Sequence, residues 1–298
     1  MIRTATGSST SDPTTRQGTS PSELAAPVRR RSDSDALTLG VVHLVSNEAW
    51  RPRLRAAGVH FGLSAVAGAV VSACVLWLWY PGALASLHGV FAMMLVLLAV
   101  DLVLGPVCTF LVFDRRKKSL PMDLAIIAVI QIVALAYGIH VIQQGRPQYV
   151  LLVKDRFEVV SPAELSHAAK AQAQANPAVR SPSLLPQWLA VRSPDSAEQR
   201  NTILFESVSG GRDLQHHPEL YIPLTREAPT AALRGISLDR IRQLNPTHRA
   251  RIDAAVAASG LPESDLRVLP LRGPARDGAV LVALPSGRVL EILAIQPW

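Results

Sequence analysis

The residue best placed to do chemistry in this sequence is an acid inside an apolar run. Asp101 interrupts the stretch Val90 to Phe113, which otherwise carries no charge. An ionised carboxylate at the centre of a membrane helix costs about 2.5–3.5 kcal/mol on insertion scales, so it must face a neighbour or stay protonated. Three roles fit such a residue. It can form a polar clasp with a neighbouring helix, for which Gln131 lies at comparable depth in the next apolar run. It can dock the apolar helix of a partner, or it can relay protons. Gly105 and Pro106 follow one turn later, and together they predict a helix kink.

Other reactive types offer less. Asp213, His216, His217 and Glu219 suggest metal ligation, yet adjacent histidines on a loop seldom converge on one ion and no third ligand follows at a recognised spacing. Cys74 and Cys108 sit near opposite faces of the membrane, separated in depth by about 20 Å at helical rise, beyond disulfide reach. No Gly-x-Ser-x-Gly, His-Glu-x-x-His, phosphate-loop or dinucleotide pattern occurs. The expectation is a protein without cofactor, metal or small-molecule substrate, and not an enzyme.

The elements that must position Asp101 follow from composition. The chain has 298 residues, 49% of them hydrophobic and 18% charged, with mean hydropathy +0.23. Soluble domains carry nearer 25% charge, so apolar residues are concentrated somewhere. They fall in three runs, about 56–79, 90–113 and 124–142, each long enough as a helix to cross a ~30 Å hydrocarbon core. Arg51, Arg53 and Arg55 precede the first, and Arg115, Arg116, Lys117 and Lys118 stand between the second and third. Basic residues gather on the cytoplasmic side, which places the amino terminus inside and everything after the third run outside. The same four cations suit contact with anionic membrane lipids. Trp77, Trp79 and Tyr80 read as an interfacial aromatic belt at the outer end of the first run.

The net charge is +7, but residues 143–298 hold eighteen Lys and Arg against fifteen Asp and Glu, scattered without a basic stripe. Nucleic-acid binding is therefore not expected. Residues 1–49 are rich in Ser, Thr, Pro and Arg and read as a disordered cytoplasmic extension; with no apolar core near the start, they do not read as a signal peptide.

The fold class expected is a membrane protein: three transmembrane α-helices within residues 50–147, then a small α+β periplasmic domain over 148–298. In the latter, Tyr149 to Val153 and Phe157 to Val160 read as strands, and Ser161-Pro162 opens a helix running to about Ala175. A Pro- and Ser-rich connection surrounds Pro177 to Pro186. Asp195 to Val208 reads as a helix presenting Ile203, Leu204 and Val208 on one face. Ser237 caps 238–244, a second helix ends at Gly260, and three strands close the chain: 266–271, 279–284 and 289–295. The Tyr149–Val153 strand or the final hairpin could offer an edge to a partner strand.

Several strings carry a family resemblance. They are Asp-Leu-Val-Leu-Gly-Pro (101–106), Leu-Val-Phe-Asp-Arg-Arg-Lys-Lys-Ser-Leu (111–120), Gly-Arg-Pro (145–147), Asp-Arg-Phe-Glu-Val-Val (155–160), Gly-Gly-Arg-Asp-Leu (210–214) and Pro-Glu-Leu-Tyr-Ile-Pro (218–223). From about Trp50 to Trp298 the chain resembles the TfpX/TfpZ family of type IV pilin accessory proteins. The resemblance implies an inner-membrane helper, chaperone-like, that assists a major pilin toward the assembled fibre, and it supplies no reaction. It marks Arg146, Pro147, Asp155, Arg156, Phe157, Asp213 and Tyr221 as motif positions. It also makes the pilin's apolar amino-terminal helix, or its free amino group, the partner to consider for Asp101. The alternative function is a membrane enzyme modifying pilin or envelope glycans, for which Asp155, Arg156 and Glu158 are the polar candidates near the bilayer.

Overall fold

The structure is a computed structural model describing residues 50–298, so the reading of residues 1–49 as a disordered extension lies outside the described residues. Helix α1 runs over Trp50–Cys74 and continues through a wider π-type turn at Val75–Trp79. Pro52 sits in its first turn, where a missing N–H forfeits no intrahelical bond. A short helix α2, Leu84–His88, links it to α3, Val90–Ala99. Gly89 joins these two at φ +67°, a left-handed conformation that suits glycine. A second π-type turn at Val100–Leu104 precedes α4, Gly105–Val112, and α5 spans Leu120–Gln144.

The three apolar helical stretches cover 30, 23 and 25 residues, or about 34 to 45 Å at helical rise, enough to cross a bilayer. Large apolar side chains such as Val66, Leu95 and Ile130 point outward, as lipid contact demands. Where the spans touch, small residues let them close. A Cβ on Gly68 would come 2.6 Å from Leu98, and one on Gly138 would come 2.3 Å from Leu97.

Beyond the spans, β1 (Tyr149–Val153), β2 (Arg156–Val160), β3 (Gln187–Val191), β4 (Tyr221–Pro223), β5 (Leu266–Arg272), β6 (Gly278–Ala283) and β7 (Arg288–Leu293) form one mixed sheet. Its order is β4-β3-β1-β2-β5-β6-β7. The hairpin β1–β2 lies at its centre, paired in parallel with β3 on one side and β5 on the other. Every residue of β1 and β6 is buried, because helices or loops cover both faces. Helices α6 (His167–Ala175), α7 (Ala197–Val208), α8 (Ala228–Leu233), α9 (Leu238–Leu244) and α10 (Arg249–Ser259) supply that cover. On one face α8 joins Leu84 and Leu87 of α2 in a core with Val150, Leu152, Phe157 and Val280. The link between the first two spans is thus part of the domain that follows the third.

Some expectations require correction. The helix expected from Ser161 to Ala175 is split: a 3-10 turn at Pro162–Glu164 ends in extended backbone at Leu165, and α6 starts anew behind the cap of Ser166. On α7 only Ile203 is buried; Leu204 and Val208 are exposed, since residues one and five positions apart do not share a helical face. Tyr80 is not a belt residue, because it packs inward at 1% exposure and donates its hydroxyl to the Ile142 carbonyl at 3.2 Å. The Tyr149–Val153 strand offers no edge, for both its sides are already paired; β7 does stand at an edge.

Candidate functional site

The three spans enclose a lateral groove of about 630 Å³. Its walls are apolar residues of α1 and α5, among them Leu63, Leu124 and Ile132, and its floor is the second span. Asp101 and Thr109 line it, and with Gly105 between them they recur every fourth residue, one above the other on one helical face. Asp101 is the second residue of the π-type turn that directly precedes Gly105-Pro106. Proline has no N–H to donate, and a widened turn is one arrangement that accommodates the gap.

Within this groove Gln131 donates from Nε2 to the backbone carbonyl of Asp101 at 3.4 Å. It reaches that carbonyl only because residue 105 is glycine: a Cβ there would lie 2.1 Å from Gln131 Nε2. The Asp101 side chain is buried, and its Oδ1 has no hydrogen-bond partner. An unsatisfied buried carboxylate oxygen is costly in an apolar setting, so the arrangement is one that a donor entering the groove would complete.

Two residues of this site, His60 and Thr109, were not singled out from the sequence. His60 on α1 places Nδ1 2.6 Å from the Thr109 hydroxyl, which gives the floor a second polar pair. Arg55 joins Arg115 at the end of the groove, where the basic residues gather. The signal was present: His60 is the one basic side chain in the first apolar run, and Thr109 continues the four-residue spacing from Asp101.

The remaining candidates are dispersed. Arg115, Arg116, Lys117 and Lys118 lie exposed in the turn between the second and third spans, with Lys117 paired to Asp123 at 2.5 Å. Arg146 donates to the carbonyls of Ser183 and Leu184 and stacks 6.0 Å from the Trp79 ring centroid; Pro147 beside it is buried. Phe157 is fully buried edge-on to Trp188, and Tyr221 sits edge-on to Tyr149 while donating to the Gln215 carbonyl at 2.5 Å. Asp213 caps a 3-10 turn.

Asp155, Arg156 and Glu158 occupy the β1–β2 turn and the start of β2, at the far end of β1 from the third span. At strand rise, Val153 is about 13 Å along from Tyr149. Arg156 is paired to Glu158 at 2.6 Å, an internal contact of the hairpin. His216 and His217 diverge: the first meets Glu164 at 3.4 Å, the second meets Glu219 at 3.1 Å and Glu206 at 3.6 Å. Among the described residues no three His, Cys, Asp or Glu gather to hold a metal ion.

Comparison with known proteins bears on this geometry. The family model described as "Fimbrial assembly protein FimB" matches residues 48–89, a segment holding α1 and α2. The chain is 30% identical over 173 residues to the fimbrial assembly protein of serogroup I from Dichelobacter nodosus, covering 57% of this chain and 66% of that protein. It is 28% identical over 110 residues to the protein of serogroups C1 and C2 from the same organism, covering 36% of this chain and 84% of the relative. The chain thus spans just under two thirds of the serogroup I protein. No solved structure matches. These similarities are to proteins named for fimbrial assembly, in line with the type IV pilin accessory group that the motifs resemble.

Proposed function

We propose that this protein assists the biogenesis of type IV pili from the bacterial inner membrane, by contact with the major pilin and without a catalytic step. The groove receives the apolar amino-terminal helix of a pilin held in the membrane, and Asp101 supplies the polar anchor, the pilin's free amino group being the complementary charge. The α+β domain faces the periplasm and works beside the exported pilin head. The single observation that carries the reading is the Asp101 carboxylate, buried and with Oδ1 unpartnered, on the floor of an apolar groove open to the membrane.

Two further facts support it. The relatives are named for fimbrial assembly. The arginines in the first turns of α1 and the basic turn after α4 stand on the side opposite α2 and the α+β domain, which agrees with a cytoplasmic amino terminus under the positive-inside rule. Piliation and pilin co-purification from membranes bearing Asp101→Asn test the anchor. The expected result is a several-fold loss of co-purified pilin with the variant present at normal amount. Unchanged piliation and co-purification would remove Asp101 as the anchor.

A further inference from the structure

We propose that the polar cavity beside the end of α5 binds the phosphate of an anionic phospholipid in the leaflet that borders the α+β domain. This cavity, about 260 Å³, lies between Gln143 and Gln144 of α5, Gln148, and Lys170 and Gln174 of α6, with Arg146 in its wall. It contains two cations and no acid.

Arg146 is 9% exposed. Its two Nη atoms donate to the carbonyls of Ser183 and Leu184 at 2.9 and 3.2 Å, and its Nε has no partner. Neither Arg146 nor Lys170 pairs with a carboxylate among the described residues. A guanidinium held in the interior by two carbonyls and the face of the Trp79 ring, with no carboxylate, is incompletely compensated, and an anion in hydrogen-bond reach stabilises it. Burial accordingly draws the Arg146 side chain below the ordinary arginine value.

Depth identifies the source of the anion. Gln143 and Gln144 are the last residues of the third span, and the Trp79 ring beside Arg146 ends the first. The cavity therefore sits where hydrocarbon gives way to headgroups. The loop whose carbonyls Arg146 holds also carries Leu184 and Leu185, 61% and 52% exposed. A free phosphate would use the cavity alone; a phospholipid would use the cavity with its headgroup and the two leucines with its chains.

The test titrates the full chain in a zwitterionic detergent with dioctanoyl phosphatidylglycerol, dioctanoyl phosphatidylcholine or inorganic phosphate at matched ionic strength, reading the unfolding midpoint. Phosphatidylglycerol should raise the midpoint saturably. Lys170→Gln should require about five- to tenfold more of it, the loss expected for one interfacial cation. Leu184→Ser/Leu185→Ser should weaken the phosphatidylglycerol response too. Since Arg146→Gln removes a loop clamp and can misfold, Lys170→Gln and the leucine pair carry the test. An equal response to inorganic phosphate would overturn the lipid assignment. An equal response to phosphatidylcholine, or a Lys170→Gln titration matching the parent, would overturn the cavity as an anion site. The outcome is independent of any pilin contact.

Discussion

Leu87, midway along the link between the first two spans, fits against Gly278 at the start of β6. A Cβ on Gly278 would lie 2.8 Å from Leu87 Cδ1. The Leu87 carbonyl also accepts hydrogen bonds from the backbone of Ala275 and Arg276 at 3.0 and 3.3 Å. A five-residue helix that would otherwise be a bare loop is thereby built into the sheet's core, so the link between the first two spans shares a hydrophobic cluster with the α+β domain.

Leu87→Ala should therefore destabilise more than a loop substitution would. Leu87 is fully buried, and truncating such a leucine typically costs about 2–5 kcal/mol. Thermal unfolding in detergent measures it. Leu95→Ala, on the outward face of the second span, is the control and should change little.

Gly105 and Gln131 should be coupled. Gly105→Ala drives a methyl into the Gln131 side chain, and overpacking of this kind costs about 1–3 kcal/mol. Gln131→Ala vacates that space, so the double variant should recover much of the loss. A double-mutant cycle on unfolding free energy reads the coupling, and strictly additive effects would show that the two side chains do not share the space.

His88 gives the protein an acid-sensitive joint. It is buried beside Tyr80, with ring centroids 5.4 Å apart; its Nδ1 lies 3.2 Å from the Leu84 carbonyl, and its Nε2 has no partner. Burial pushes its pKa down from 6.5 to about 4, against smaller upward effects of the Leu84 carbonyl and Glu164. The native state then binds fewer protons than the unfolded chain between these values. The contribution to stability is complete above pH 6.5 and falls as pH drops toward 4, by about 3 kcal/mol in total. Comparing unfolding midpoints across that window, His88→Phe should show a shallower loss than the parent. Parallel curves would assign the acid sensitivity to other groups.

Legibility from sequence tracked how much each signal depends on distant partners. The spans stood out because an uninterrupted apolar run needs no partner to be recognised. Helix α2 did not, since five residues between Gly82 and Gly89 give no periodicity and its Leu84 and Leu87 matter only through contact with β6 and β1. Strand β3, Gln187–Val191, hid behind the Pro186 turn: it is short and lacks a polar alternation, because its end residues Leu189 to Val191 are buried on both faces. Tyr149–Val153 was recognisable as a strand, but not as the middle of the sheet, because its parallel partner begins 38 residues later. At the groove, Asp101 and Gln131 were legible as polar residues in apolar runs. His60 escaped because a histidine does not interrupt a run defined by the absence of Asp, Glu, Lys and Arg.

The most direct measurement is photo-crosslinking from the groove in native membranes. A photoreactive residue at Leu63, which lines the groove wall, should capture the major pilin, while one at outward-facing Leu95 should not. Asp101→Asn should reduce the Leu63 adduct. Equal capture from both positions, or none from Leu63 in cells that make pilin normally, would contradict the groove as the pilin's place of contact.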